Sequence, residues 1–203
     1  SDLHNLLDQM DMHDISTRIA FHCAPVIAGL KVSNLLAIPS KEDVLVYKIM
    51  AGSGISCRKL VEDRGRSVFF LYRKKALEDW IVLRSNSMLL CKSGIRKGPI
   101  EYVLDQIAER YRSYIENGST YPHEIGVLLG YPPEDVKGFM VNKGKEYLAC
   151  GYWKVYGNPV SAQKCFDAYD CARKRILLQL SSGETLHSIL LRVKEEQNDI
   201  YAA

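Results

Sequence analysis

The sequence predicts an α+β fold: a small mixed sheet of about four strands, packed with a majority of α-helices. Three observations carry this. Apolar residues recur at helical spacing over much of the chain, most clearly at Ile100, Val103, Leu104, Ile107, Ala108, Tyr111 and Ile115 on one face of a single helix. Between residues 55 and 73 the period becomes that of extended chain, with ISCRKLVE and SVFFLYR flanking Asp63-Arg64-Gly65-Arg66. With 203 residues, 47% of them hydrophobic and 25% charged, the chain can bury a substantial core. One globular domain over residues 1–180 is therefore expected, followed by a C-terminal helix at 181–203 that docks loosely or self-associates.

The elements follow in order. Leu3, Leu6, Leu7 and Met10, then Ile15, Ile19 and Ala20, suit two short helices broken near residues 12–14. Pro25 favours a first-turn position, where its missing N–H costs nothing, so a helix is expected to begin around Cys23 and continue over 26–31. That reading puts Cys23 at a helix N-terminus. Residues 34–38 form a short apolar strand ended by Pro39, and Ser40 with Glu42 and Asp43 starts a helix that runs through Met50 and stops at Gly52-Ser53-Gly54. Strands at 55–62 and 67–73 make a hairpin whose turn lacks the Asn-Gly pair, so its register is left open. Helices follow at 76–81 and 99–115, the second closed by Gly118, and two short ones at 122–129 and 133–141 meet at Gly130-Tyr131-Pro132. Residues 147–156 read as a fourth strand. Its alternation sets Trp153 and Val155 toward a core, with Tyr152, Lys154 and Tyr156 on the other face. Helices at 161–180 and 185–194 close the chain, separated by Ser181-Ser182-Gly183.

Charge selects no partner, since 27 basic residues stand against 24 acidic ones for a net +3. No apolar run approaches the ~20 residues that span a bilayer, and neither a signal peptide nor a membrane association is expected. The six cysteines show no C-x-x-C spacing and read as reduced thiols of a cytoplasmic protein. No cofactor and no metal site are expected.

Four segments carry a family likeness: HCAPVIAGLKVSNL (22–35), FLYR (70–73), PHEIGVLLGYPPEDVKGF (122–139) and GYWKVYG (151–157). In these the chain resembles an uncharacterised bacterial family of unknown function, found mostly in anaerobic Gram-positive organisms. The resemblance spans most of residues 21–171 and implies that these segments belong together. It implies no activity, and no shared pattern is expected from residue 177 onward.

Two functional readings compete. In the first, Cys23 is a nucleophile whose thiolate is stabilised by a helix N-terminus, His123 is its base and Glu124 orients the histidine, giving a cysteine-dependent hydrolase or acyl-transfer enzyme. The alternative is that Cys23 is simply a buried small residue. In the second reading, Lys31, Arg73, Lys154 and Tyr156 form a non-catalytic site for a small anion, or the chain is a protein-interaction module, with self-association through the C-terminal helix. A helix-turn-helix at 122–141 is a third possibility, but its second helix offers Glu134 and Asp135 against one Lys137, a poor set for nucleic acid.

Overall fold

In the computed structural model, residues 6, 8 and 10–202 are described, with side chains as far as residue 198. The expected helix at 3–10 lies largely outside them. Contacts divide the chain into two compact units: Ser1–Arg73 with Ala168–Ala203, and Lys74–Asp167. The α+β class is as expected.

The first unit opens with helix α1 (Ile15–Ile27), which begins where the Asp14 carboxylate accepts from the Thr17 N–H. Strand β1 (Ser33–Pro39), a 3₁₀ turn (Ser40–Glu42), α2 (Asp43–Met50), β2 (Ser56–Asp63) and β3 (Arg66–Tyr72) follow. The three strands form an antiparallel sheet in the order β1–β3–β2. The hairpin turn has only two central residues, because Asp63 pairs with Arg66, and both Arg64 and Gly65 have positive φ (47° and 75°). It is thus a tight turn of the kind that matches strand twist, with Arg in the place where Asn is usual. A register shift between Lys59 and Val61 marks a bulge in β2. Ile19, Ala20, Cys23 and Ile27 of α1 share one buried cluster with Leu36 and Ile38 of β1, Phe69 and Leu71 of β3, and Val46 and Met50 of α2.

Pro25 stands inside α1, near its end and not at its beginning. A helical proline leaves the carbonyl four residues earlier without its usual donor. Here Arg173 Nε donates to the Phe21 carbonyl oxygen at 2.9 Å and its guanidinium lies over the Phe21 ring, so the interior proline is accommodated.

The second unit contains α3 (Lys74–Ile81), α4 (Arg84–Lys92), α5 (Ile100–Asn117), α6 (Ile125–Leu128), α7 (Pro133–Asn142) and the two-residue strands β4 (Ala149–Cys150) and β5 (Lys154–Val155). Helix α4 has no counterpart in the sequence reading. Ile100, Val103, Leu104, Ile107 and Ala108 form the buried face of α5, which ends at left-handed Gly118. The expected fourth strand is a separate hairpin: Ala149 pairs with Val155 and Cys150 with Lys154. Trp153 and Val155 are buried as their alternation requires. The hairpin is fastened to α7 by Asp135, and Gly138 permits the contact, because a Cβ there would lie 2.4 Å from Tyr156.

Helix α8 (Pro159–Ser181) belongs to the second unit through Asp167 and to the first from Ala168 onward. The last helix, α9 (Leu186–Ala202), places Leu186 and Leu190 in the core cluster of the first unit, and Lys194 Nζ donates to the Gly52 carbonyl oxygen at 2.9 Å. No helix among the described residues is long and apolar enough to cross a membrane.

Candidate functional site

Cys23 does not occupy a helix N-terminus. It is the ninth residue of α1, 1% exposed, and faces the sheet. Asn34 Nδ2 donates to the His22 carbonyl oxygen at 2.8 Å and lies 4.0 Å from Cys23 Sγ, while Asn34 Oδ1 accepts from Lys31 Nζ at 2.6 Å. Burial pushes the thiol up to about 12, outweighing the Asn34 contact and the Lys31 charge, which act in the opposite direction. Cys57, on the neighbouring sheet surface, is likewise pushed up to about 12 by burial and secondarily by Cys23. Both thiols are protonated at neutral pH.

His123 and Glu124 belong to the second unit, and Cys23 to the first. The His123 ring packs between Tyr121 and Phe139, at centroid distances of 5.4 and 5.1 Å. Glu124 takes a different partner: Arg110 Nη1 donates to Glu124 Oε1 at 2.5 Å and to the Ser93 carbonyl oxygen at 2.7 Å. The Glu124 side chain is 6% exposed, whereas that of Arg110 is 37% exposed. The carboxylate is thus the interior half of the pair, and the guanidinium reaches solvent. It reaches an open groove of about 610 Å³, lined by Lys92 and Ser93 at the end of α4, Arg110 and Ser113 of α5, and the connection carrying Ser119, Thr120, Tyr121 and Glu124. Two cations line this groove against one carboxylate, which Arg110 already neutralises.

Residues 19–190 match a family described as a protein of unknown function, DUF3793. The chain belongs to the DUF3793 family. No curated protein and no solved structure matches it. The DUF3793 match extends past residue 177, where no shared pattern was expected, and takes in the buried start of α9. Every residue of the groove falls inside it.

Each residue of the expected anion site is engaged within its own unit of this DUF3793 chain, Lys31 and Arg73 in the first and Lys154 and Tyr156 in the second. Lys31 is 5% exposed and bonded to Asn34. Arg73 closes the C-terminus of α1, donating from Nε to the Val26 carbonyl oxygen and from Nη2 to that of Ile27, each at 2.7 Å, and from Nη1 to Gln197. A cation at a helix C-terminus meets both the orphan carbonyls and the negative end of the dipole. Lys154, in the second unit, donates to the Gly144 carbonyl oxygen at 2.7 Å and lies 4.8 Å from the Tyr147 ring centre. Tyr156 donates from its hydroxyl to the Lys145 carbonyl oxygen at 3.0 Å.

Sequence reasoning missed Arg110, Lys92 and Tyr121. One signal for Arg110 was present. It follows Val103 by seven residues and Ile107 by three, on the margin of the apolar stripe of α5, where a charge has to find a partner or reach solvent.

Proposed function

We propose that this protein is a non-catalytic binding module that holds a small anionic ligand in the groove beside Arg110. The observation that carries the reading is the Arg110–Glu124 pair. Its buried carboxylate fixes the guanidinium in place, and among the described residues the Arg110 Nε and Nη2 groups have no hydrogen-bond acceptor. A guanidinium held in this way can present two N–H donors side by side to a phosphate or carboxylate, with little ordering left to do on binding. Lys92 adds a second positive charge, and the Ser119 and Thr120 hydroxyls add polar contacts along the same groove.

A cysteine-dependent hydrolase using Cys23, His123 and Glu124 is the competing reading. Against it stand the burial of Cys23, its raised pKa and the engagement of Glu124 with Arg110.

The test is a thermal-shift and calorimetric titration with inorganic phosphate, pyrophosphate and citrate. At least one is expected to raise the Tm and to give saturable heat, and Lys92→Ala and Arg110→Lys are expected to weaken it. Flat titrations with all three anions would overturn the reading.

A further inference from the structure

The groove carries its cations, Lys92 and Arg110, on α4 and α5, and its connecting segment sets Tyr121 against Tyr111 and Tyr114 of α5. Tyr121, which lines it, meets Tyr114 and Tyr111 edge to face at 5.2 and 5.7 Å, and Tyr111 and Tyr114 meet each other at 6.2 Å. His123 and Phe139 continue the series from Tyr121 at successive spacings of 5.4 and 5.1 Å. Three tyrosines in mutual edge-to-face contact brace one another, so their rings are held in place before any ligand arrives. None of them is fully buried: Tyr111 and Tyr121 are half-buried and Tyr114 is exposed.

From this juxtaposition we infer that the anion taken by the groove is a nucleotide, with its phosphate on Arg110 and Lys92 and its base stacked on the tyrosine cluster at Tyr121. The inference rests on the anion-site reading above and adds the ring. A cationic groove beside aromatic side chains is the general way proteins hold a phosphate-linked base without reading its sequence, because every base offers a π-face and every linkage a negative charge. Ser119 and Thr120 lie in the same connection as Tyr121, suited to sugar hydroxyls, which need neutral donors and acceptors between the phosphate and the base.

The test uses the whole chain and four probes in calorimetry: AMP, UMP, ribose 5-phosphate and adenosine. Expected is binding of both nucleotides at least about tenfold tighter than ribose 5-phosphate, the usual order of one base–aromatic stack. Tyr121→Leu should bring AMP down to the ribose 5-phosphate level without weakening ribose 5-phosphate itself, and Tyr121→Phe, which keeps the ring, should retain AMP affinity. Equal affinity for AMP and ribose 5-phosphate would overturn the nucleotide inference and leave the anion site standing. Absence of binding by all four would overturn the nucleotide inference, and flat titrations with phosphate, pyrophosphate and citrate as well would overturn both. Wild-type affinity for AMP in a folded Tyr121→Leu variant would also overturn the stacking assignment.

Discussion

Trp153 donates its indole N–H to Asp135 Oδ2 at 2.7 Å, while Asp135 Oδ1 accepts from the backbone N–H groups of Tyr156 and Gly157, each at 2.7 Å. One buried carboxylate therefore satisfies three donors of the β4–β5 hairpin and its exit. Asp135→Ala should destabilise the protein by about 3 kcal/mol, since it strands donors that burial keeps from water. Asp135→Asn should recover only part of that loss, because its amide can accept at one oxygen only. Urea unfolding of both variants measures this, and equal stability of Asp135→Ala and wild type would refute it.

The two ends of the Arg110–Glu124 pair are unequal, and so should be the effect of losing each. Arg110→Ala leaves a carboxylate that is 6% exposed without its cation and should cost about 3 kcal/mol. Glu124→Gln should cost less, because Arg110 is free to turn toward the solvent it already touches. Chemical denaturation would decide, and the reverse order would show that the exposures are not what governs the pair.

Arg73 is a helix-closing residue by its bonds to Val26 and Ile27. Arg73→Ala should lower stability by about 2 kcal/mol through the loss of charge-assisted bonds to the α1 terminus. The same variant should bind pyrophosphate as the wild type does. A weakened titration in a stably folded Arg73→Ala protein would return Arg73 to the ligand site.

The six thiols should separate by accessibility. Cys91, Cys150 and Cys171 are exposed and should alkylate in the native state, whereas Cys23 should label only when the chain unfolds. Mass spectrometry of iodoacetamide-treated protein reads each site. Native labelling of Cys23 at pH 6, faster than that of the exposed thiols, would reinstate the nucleophile.

Alkaline pH gives an independent measure of the same burial. The Cys23 thiol is pushed up to about 12 in the fold and titrates at about 8.5 when unfolded, so its folded pKa is the higher one. Its contribution is fully present below pH ~8.5 and is lost as the pH rises toward 12, at about 1.4 kcal/mol per pH unit once the unfolded thiol ionises. Stability between pH 9 and 10.5 should therefore fall less steeply in Cys23→Ala than in wild type. Parallel slopes would mean that the thiol is not held in its protonated form.

Much of the fold was legible because local pattern and tertiary burial agree. The apolar stripe of α5, the strands around Arg64-Gly65 and the alternation of Trp153, Lys154 and Val155 each state which side faces inward. Pro25 misled for a physical reason: its missing N–H is harmless at a helix start, and equally harmless inside α1 once Arg173, distant in sequence, supplies the Phe21 carbonyl with a donor. Helix α4 escaped notice because only Asn86 and Leu90 of its nine residues are buried, too few to trace an apolar face. The groove was illegible for a similar reason. Arg110, Lys92 and Tyr121 lie on three separate segments, and no spacing along the chain connects them.

The strand order β1–β3–β2 leaves β1 and β2 at the borders of their sheet. An open border of that kind can recruit the same strand from another copy and extend without limit. Here β2 is interrupted by its bulge at Lys59 and Val61 and carries Arg58, Lys59, Glu62 and Asp63, while β1 terminates in Pro39, which has no N–H to offer. A copy approaching β2 meets a strand bent at its bulge and lined with charges, so the residues that shape this edge also oppose the addition of a strand to it.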